Sequence, residues 1–280
     1  MKKIIILLAI LLSLSANEII NGETEILKVD GEFAGELFIN DKKSIWLDNP
    51  VKKGEKIAFV SSNYRNKNDI IVKHIFNNDE QIIKFKLIEG SYKKENITVS
   101  SSKANPNKEN LKRIKKEREE AYSIYRTKTD KLLFNSKFEL PINSVITSNF
   151  GNARVFNGNL KSYHSGTDFR ASVGTPIKAA NDGVVVIAKE RFYAGNSVVI
   201  NHGGGIYSQY YHLSKINVEV GNLVKKGEVI GLSGATGRVS GPHLHFGIMV
   251  NANSVEPLKF IEAVNYALFD EWYKNKICKK

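Results

Sequence analysis

Ser197-Val198-Val199-Ile200-Asn201-His202-Gly203-Gly204-Gly205-Ile206-Tyr207-Ser208-Gln209-Tyr210-Tyr211-His212 reads as two short apolar strands joined through a triple-glycine turn. β-Branched and aromatic residues favour strands, and glycine clusters end them. The same texture extends outward from this stretch. Ser144-Val145-Ile146, Gly183-Val184-Val185-Val186-Ile187-Ala188 and Glu228-Val229-Ile230-Gly231-Leu232 alternate with further Gly-rich turns. The pattern predicts an antiparallel β-domain over residues 136–256, built as two packed sheets or a half-open barrel.

Upstream, residues 17–100 predict a smaller β-domain. Its strand-like runs are Glu36-Leu37-Phe38-Ile39, Lys56-Ile57-Ala58-Phe59-Val60, Ile70-Ile71-Val72 and the stretch from Gln81 to Ile88, separated by Gly, Asn and Asp clusters. Residues 101–135 predict a loop and a charged, solvated linker helix. Asn105 is placed to cap that helix with Pro106 at its first position. Leu111, Ile114, Ala121, Tyr122 and Tyr125 form its narrow apolar stripe. Residues 257–280 predict an amphipathic helix through Ile261, Val264, Leu268 and Trp272, docked on a domain. The fold class is therefore mainly β, with a helical linker and a C-terminal helix. Val51-Lys52-Lys53-Gly54-Glu55 recurs as Val224-Lys225-Lys226-Gly227-Glu228, which reads as two similar turns and not as a domain repeat.

The chain of 280 residues carries 41 Lys and Arg against 29 Asp and Glu, a formal charge of +12. That balance favours an anionic partner without choosing among nucleic acid, membrane surface and acidic polymer. The single cysteine, Cys278, excludes an internal disulfide and a Cys-rich zinc site. Met1-Lys2-Lys3, the apolar run from Ile4 to Leu12 and Ser13-Leu14-Ser15-Ala16 follow the pattern of a secretory signal peptide over residues 1–16. Nine helical residues span about 14 Å, against a hydrocarbon core of about 30 Å, so no stable transmembrane anchor is expected. Export lowers the expectation of a nucleic-acid partner, and no aromatic-basic recognition motif supports one.

Five of the six histidines fall between residues 164 and 245. His243-Leu244-His245 places two imidazoles on one face of a strand. His164 and Asp168 reach a common ion only if the chain bends between them, and Gly166 permits a bend. Nitrogen plus carboxylate oxygen suits zinc. His164, Asp168 and one of His243 and His245 make three ligands, leaving an open position of the catalytic kind. The remaining histidine and His212 are then candidates for proton transfer. His212 ends a strand at a loop, whereas His202, in a Gly-rich turn, and the isolated His74 read as structural. The rival metal reading, a closed structural zinc site, needs four ligands and leaves histidines unexplained.

These motifs resemble the lysostaphin and LytM type of zinc metallopeptidase, which cuts peptidoglycan cross-bridges. The resemblance covers residues 140–258. It rests on His164-Ser165-Gly166-Thr167-Asp168-Phe169, on the stretch from Gly174 to Val185, on residues 195–203, on Tyr211-His212-Leu213-Ser214 and on His243-Leu244-His245-Phe246. It implies that His164, Asp168 and His245 hold one Zn2+ and that His212 and His243 are the catalytic pair. It also implies peptidoglycan stem peptides as substrate, at the D-alanyl-diaminopimelate bond, with D,D-carboxypeptidase trimming by the same site. The first half of the chain resembles the periplasmic cell-shape endopeptidases of helical Gram-negative bacteria in organisation and basicity, which implies a periplasmic location. Two rivals remain at this level, a non-enzymatic LytM-like regulator of other hydrolases and a nucleic-acid-binding protein. Arg154, Arg170, Lys178 and Arg238 lie near the site motifs, and the N-terminal domain is a candidate cover for the groove.

Overall fold

The computed structural model describes residues 17–270 apart from Asn157 and Asn159. The expected leader (residues 1–16) and Trp272 lie outside the described residues. Among the described residues, no helix is long and apolar enough to cross a membrane.

The N-terminal part folds as two sheets. One runs in the order Glu18–Ile20, Asp79–Ile88, Ile70–Phe76, Glu36–Ile39, Lys42–Ser44, with its first pair parallel. The other pairs Thr24–Asp30, Glu55–Ser61 and Leu47–Asp48. Alternate residues of a strand face opposite sides, and in this second sheet both sides are buried. Leu27, Ala58 and Val60 pack with Ile19, Leu37, Ile70 and Phe85 in the N-terminal core. Ile26, Ile57 and Phe59 turn the other way, into the core of the C-terminal part.

That second core lies under an antiparallel sheet. Its order is Ile146–Ser148, Thr167–Arg170, His243–Val250, Ile206–Leu213, Gly195–Gly203, Gly183–Arg191, Leu223–Val224, and Asn253–Val255 pairs with the long strand His243–Val250. A smaller sheet of Pro176–Lys178, Val229–Leu232 and Lys215–Ile216 lies beside it. A third sheet crosses between the two halves of the chain. In it Lys94–Ile97 pairs in parallel with Ala153–Phe156, which pairs with Leu160–Tyr163.

Three α-helices complete the order among the described residues. Helix α1 (Ser101–Ala104) is a single turn where a loop is expected. Helix α2 (Lys108–Tyr125) is capped by Asn107, whose side chain accepts the Asn110 N–H at 2.8 Å. The expected cap at Asn105 is thus displaced by two residues, and Pro106 precedes the cap instead of opening the helix. A residue before proline is pushed towards extended backbone, and Asn105 has φ −127° and ψ 78°. Only part of the predicted apolar stripe is covered. Ala121 and Tyr125 pack on Ile187, Val199, Tyr207 and Met249, while Leu111 and Tyr122 stay exposed. Helix α3 (Pro257–Val264) continues as a π-turn through Asn265–Asp270. Phe260, Val264 and Leu268 insert into the core that also receives Ile26 and Phe59. The amphipathic C-terminal helix thus joins the two halves of the chain.

The two Val-Lys-Lys-Gly-Glu segments are equivalent turns. Gly54 and Gly227 both have positive φ, 86° and 80°. In each turn the glutamate N–H reaches the carbonyl of the first lysine.

Phe260 is fully buried and lies 5.5 Å from the Phe138 ring, edge to face. Phe260→Ala should lower the unfolding free energy by about 3–5 kcal/mol, measured by urea denaturation.

Candidate metal centre and catalytic site

Strand register assembles the site. Asp168 on Thr167–Arg170 is the cross-strand partner of His245 on His243–Val250. On its other side His245 partners Tyr211. His164 arrives from the segment just before Asp168, and Gly166 lies between them. Its φ is not in the left-handed region, so the bend itself does not demand glycine. Space does: a Cβ there would lie 2.4 Å from the Phe246 carbonyl oxygen and 2.7 Å from His245 Nε2.

The result is a small buried triangle. His164 Nε2, Asp168 Oδ1 and His245 Nδ1 lie 2.9 Å from one another on all three edges. His164 Nδ1 donates to the Asn149 carbonyl at 2.8 Å. With Nδ1 so used, His164 turns its Nε2 towards the triangle. Burial pushes His245 down to about 4, against the pull of Asp168, so its ring is neutral near pH 7. Burial alone would raise Asp168, yet the two imidazoles hold its carboxyl well below the usual carboxylate range. The ionised carboxylate offers only acceptors to the triangle, so protons on the two imidazoles are all that can bridge its three edges. His245 Nε2 is buried without a hydrogen-bond partner. A cation at the triangle would satisfy all three inward atoms at once. The donor set of two nitrogens and one hard oxygen fits zinc.

Outside the triangle, Asp168 Oδ2 accepts from the Arg154 guanidinium at 2.6 Å. Arg154 lies 3.4 Å from Glu95, which also accepts from Ser148 and Asn152. Glu95 belongs to the crossing strand Lys94–Ile97, so the N-terminal part supplies a carboxylate to the support of the site. The Tyr211 ring stacks on His245 at 5.1 Å and 14°. The buried Arg191 guanidinium lies 4.7 Å from the Tyr211 ring centre.

His212 and His243 flank the triangle, with ring centres 4.8 Å apart. His212 Nδ1 donates to the Thr236 carbonyl and His243 Nδ1 to the Gly241 carbonyl, both at 2.8 Å. Both rings thus use Nδ1 for position, and neither Nε2 is bound to the backbone. Burial, with His243 and His245 beside it, pushes His212 well below the usual histidine range. Its backbone has φ +66°, an uncommon conformation outside glycine. A groove of about 530 Å³ opens over His164, His212 and His245, with Tyr125 of α2 in its wall. A second of about 370 Å³ reaches Asp168 and His243 from the side of Glu95.

Residues 162–257 match the model of peptidase family M23. The chain carries a peptidase family M23 domain. The peptidoglycan DD-endopeptidase ShyA of Vibrio cholerae is 51% identical over 96 residues, 34% of this chain and 22% of that protein. The DD-carboxypeptidase/endopeptidase Mpg of Neisseria meningitidis is 43% identical over 95 residues, covering 34% and 22%. The chain thus spans about a fifth of the length of these curated relatives. A solved peptidase M23 structure from Pseudomonas aeruginosa is 29% identical with a TM-score of 0.66, covering 87% of this chain and 95% of that one. The triangle of His164, Asp168 and His245 could hold one metal ion, and its donors suit zinc.

The structure brings His164, Asp168, His212, His243 and His245 together. It keeps two histidines away. His202 is fully buried, with Nδ1 2.7 Å from the Asp182 carbonyl and Nε2 2.7 Å from Ser208 Oγ. His74 packs edge to face on Trp46 and reaches the Ala34 carbonyl. Arg170 and Lys178 line neither groove, whereas Arg154 and Arg238 line both. Sequence reasoning missed Glu95, Tyr211 and Arg191. Tyr211 could have been found from its place beside His212. Glu95 could not, because a lone Glu in a remote strand carries no signal.

Gly166→Ala should displace His245 and lower bound zinc well below one per chain, measured by elemental analysis of the purified protein. His202 supplies a stability test. Burial holds it down to about 4, below its unfolded value of 6.5. The unfolded state therefore binds a proton first, and the contribution of neutral His202 is complete above pH 6.5 and lost as pH falls towards 4. The loss is about 3 kcal/mol. Urea titrations between pH 7 and 4.5 should show a shallower pH slope for His202→Gln than for the parent.

Proposed function

We propose that this protein is a zinc endopeptidase that hydrolyses the stem-peptide cross-links of peptidoglycan, with His164, Asp168 and His245 as metal ligands and His212 and His243 as the catalytic pair. The observation that carries this reading is the buried triangle of His164, Asp168 and His245 set beside two imidazoles whose Nε2 atoms are both uncommitted to the backbone. The names of ShyA and Mpg support the peptidoglycan substrate and the D,D type of bond. On this reading the bond is D-alanyl-diaminopimelate, with trimming of a terminal D-alanine as a second activity. The work is done outside the cytoplasm, in the periplasm, as part of cell-wall remodelling and cell shape.

Bound zinc would supply Lewis acidity, polarising the scissile carbonyl and acidifying a water. The protein's own residues do the rest. One Nε2 of the His212 and His243 pair accepts the proton of the attacking water and passes it to the leaving amine, and the other ring, protonated from solvent before the attack, donates to the oxyanion. The Thr236 and Gly241 carbonyls stabilise each ring as it gains charge, because the Nδ1–H they accept becomes more acidic. Arg154 holds Asp168 in place through its hydrogen bond to Oδ2. The stem peptide lies in the groove, between α2 and the strand His243–Val250.

Mass spectrometry of digested cross-linked muropeptides tests the reading. The parent should release monomers by peptide cleavage, and a chelator should stop it. His245→Ala should lose both zinc and turnover. His212→Ala and His243→Ala should keep zinc and lose activity by about 10²–10⁴-fold. Cleavage that persists in chelator, or a cut in the glycan, would overturn the proposal.

A further inference from the structure

The strand Lys94–Ile97 belongs to the N-terminal half of the chain and lies outside the stretch 162–257 that matches the M23 model. Its parallel register with Ala153–Phe156 sets Glu95 directly against Arg154. One carboxylate is thereby placed one side chain away from two of the three residues of the triangle. The first route runs through Arg154. Glu95 Oε2 lies 3.4 Å from Arg154 Nε, and the same guanidinium donates to Asp168 Oδ2 at 2.6 Å. The second route runs through Ser148. Its hydroxyl donates its one hydrogen to Glu95 Oε2 at 2.9 Å. Towards Arg154 Nη2 and His164 Nδ1, each 3.0 Å away, the Ser148 oxygen therefore accepts. Glu95 Oε1 accepts from the buried Asn152 amide at 2.6 Å, which fixes the carboxylate itself.

Charge gives this network its direction. Asp168 Oδ2 accepts from Arg154, and Oδ1 is the oxygen that faces His164 and His245. The guanidinium that sets this orientation also brings a positive charge beside a site for a divalent cation. Arg238 adds a second, because it lines the same groove as Arg154, Asp168 and His243. Like charges repel more strongly where water is scarce, and the side chains of Arg154 and Asp168 are only 17% and 7% exposed. Glu95, in the wall of that groove, offsets the arginine without entering the triangle.

We propose that Glu95 is a positioning residue of the metal centre: it neutralises Arg154 and holds Ser148 as an acceptor, so that the zinc affinity of the M23 domain depends on a residue from the N-terminal half of the chain. The inference rests on the zinc reading of the triangle. It concerns affinity for the metal and assigns Glu95 no contact with substrate. Partners that stand behind metal ligands tune metal affinity by about 10- to 100-fold.

The test is the zinc dissociation constant of the full chain, measured by competition with a chromophoric chelator. Glu95→Gln keeps the shape and removes the charge, and should weaken zinc binding by about 10-fold. Glu95→Asp keeps the charge and should bind zinc more tightly than Glu95→Gln does. In an Arg154→Gln background the guanidinium to be offset is gone, so Glu95→Gln should there change the constant by no more than about 2-fold. Circular dichroism of the metal-free chains checks that each variant is folded. Equal affinity in the parent and Glu95→Gln would overturn the inference. So would a loss of the same size in both backgrounds, which would mark a merely structural role. A parent that binds no zinc would sink the metal reading itself, a result distinct from a parent that binds zinc and is indifferent to Glu95.

Discussion

The site depends on one pairing, Thr167–Arg170 against His243–Val250 in antiparallel register. That pairing sets Asp168 opposite His245, and the next strand sets Tyr211 against His245 from the other side. A slip by one residue would turn His243 and His245 away from Asp168 altogether, since side chains alternate faces. The register also carries a cost. It packs three inward-facing polar atoms into one buried corner, and unsatisfied buried polar groups are expensive. Such a local conflict is tolerated where an ion resolves it, and the surrounding hydrogen bonds of His164 to Asn149 and Asp168 to Arg154 keep the corner from collapsing into another arrangement.

Much of this was legible in the sequence for simple geometric reasons. His243 and His245 are two apart in a strand and do share a face. His164 and Asp168 do converge through a bend at Gly166, although glycine is there to make room for the His245 ring and not to reach a left-handed backbone. The main strands from Glu36–Ile39 to Val229–Leu232 follow their apolar runs because period and turn residues are local signals. What stayed hidden is non-local. Nothing in Lys94-Glu95-Asn96-Ile97 announces a parallel strand beside Ala153–Phe156, or a carboxylate bound for Arg154. The helix cap moved from Asn105 to Asn107 because proline constrains the residue before it. The exposed Leu111 and Tyr122 show that apolar spacing on a helix records a capacity to pack, not a partner.

The two flanking imidazoles share a design. Each is held at Nδ1 by a backbone carbonyl, and both carbonyls come from a single loop. Backbone acceptors fix the tautomer without adding a second titrating group, which leaves the lone pair on Nε2. The left-handed backbone of His212 belongs to the same scheme. It turns the chain sharply at the end of Ile206–Leu213 and aims the ring back over the strands. Strain of this sort is held by tight packing nearby.

Helix α3 and the strand pair Thr24–Asp30 and Glu55–Ser61 share one hydrophobic seam. The amino-terminal sheet is thus welded to the M23 domain and does not hang from it as a detachable hood. Transplanting that sheet between related chains would demand matched substitutions at Ile26, Phe59 and Phe260, so the two halves are bound to diverge in step.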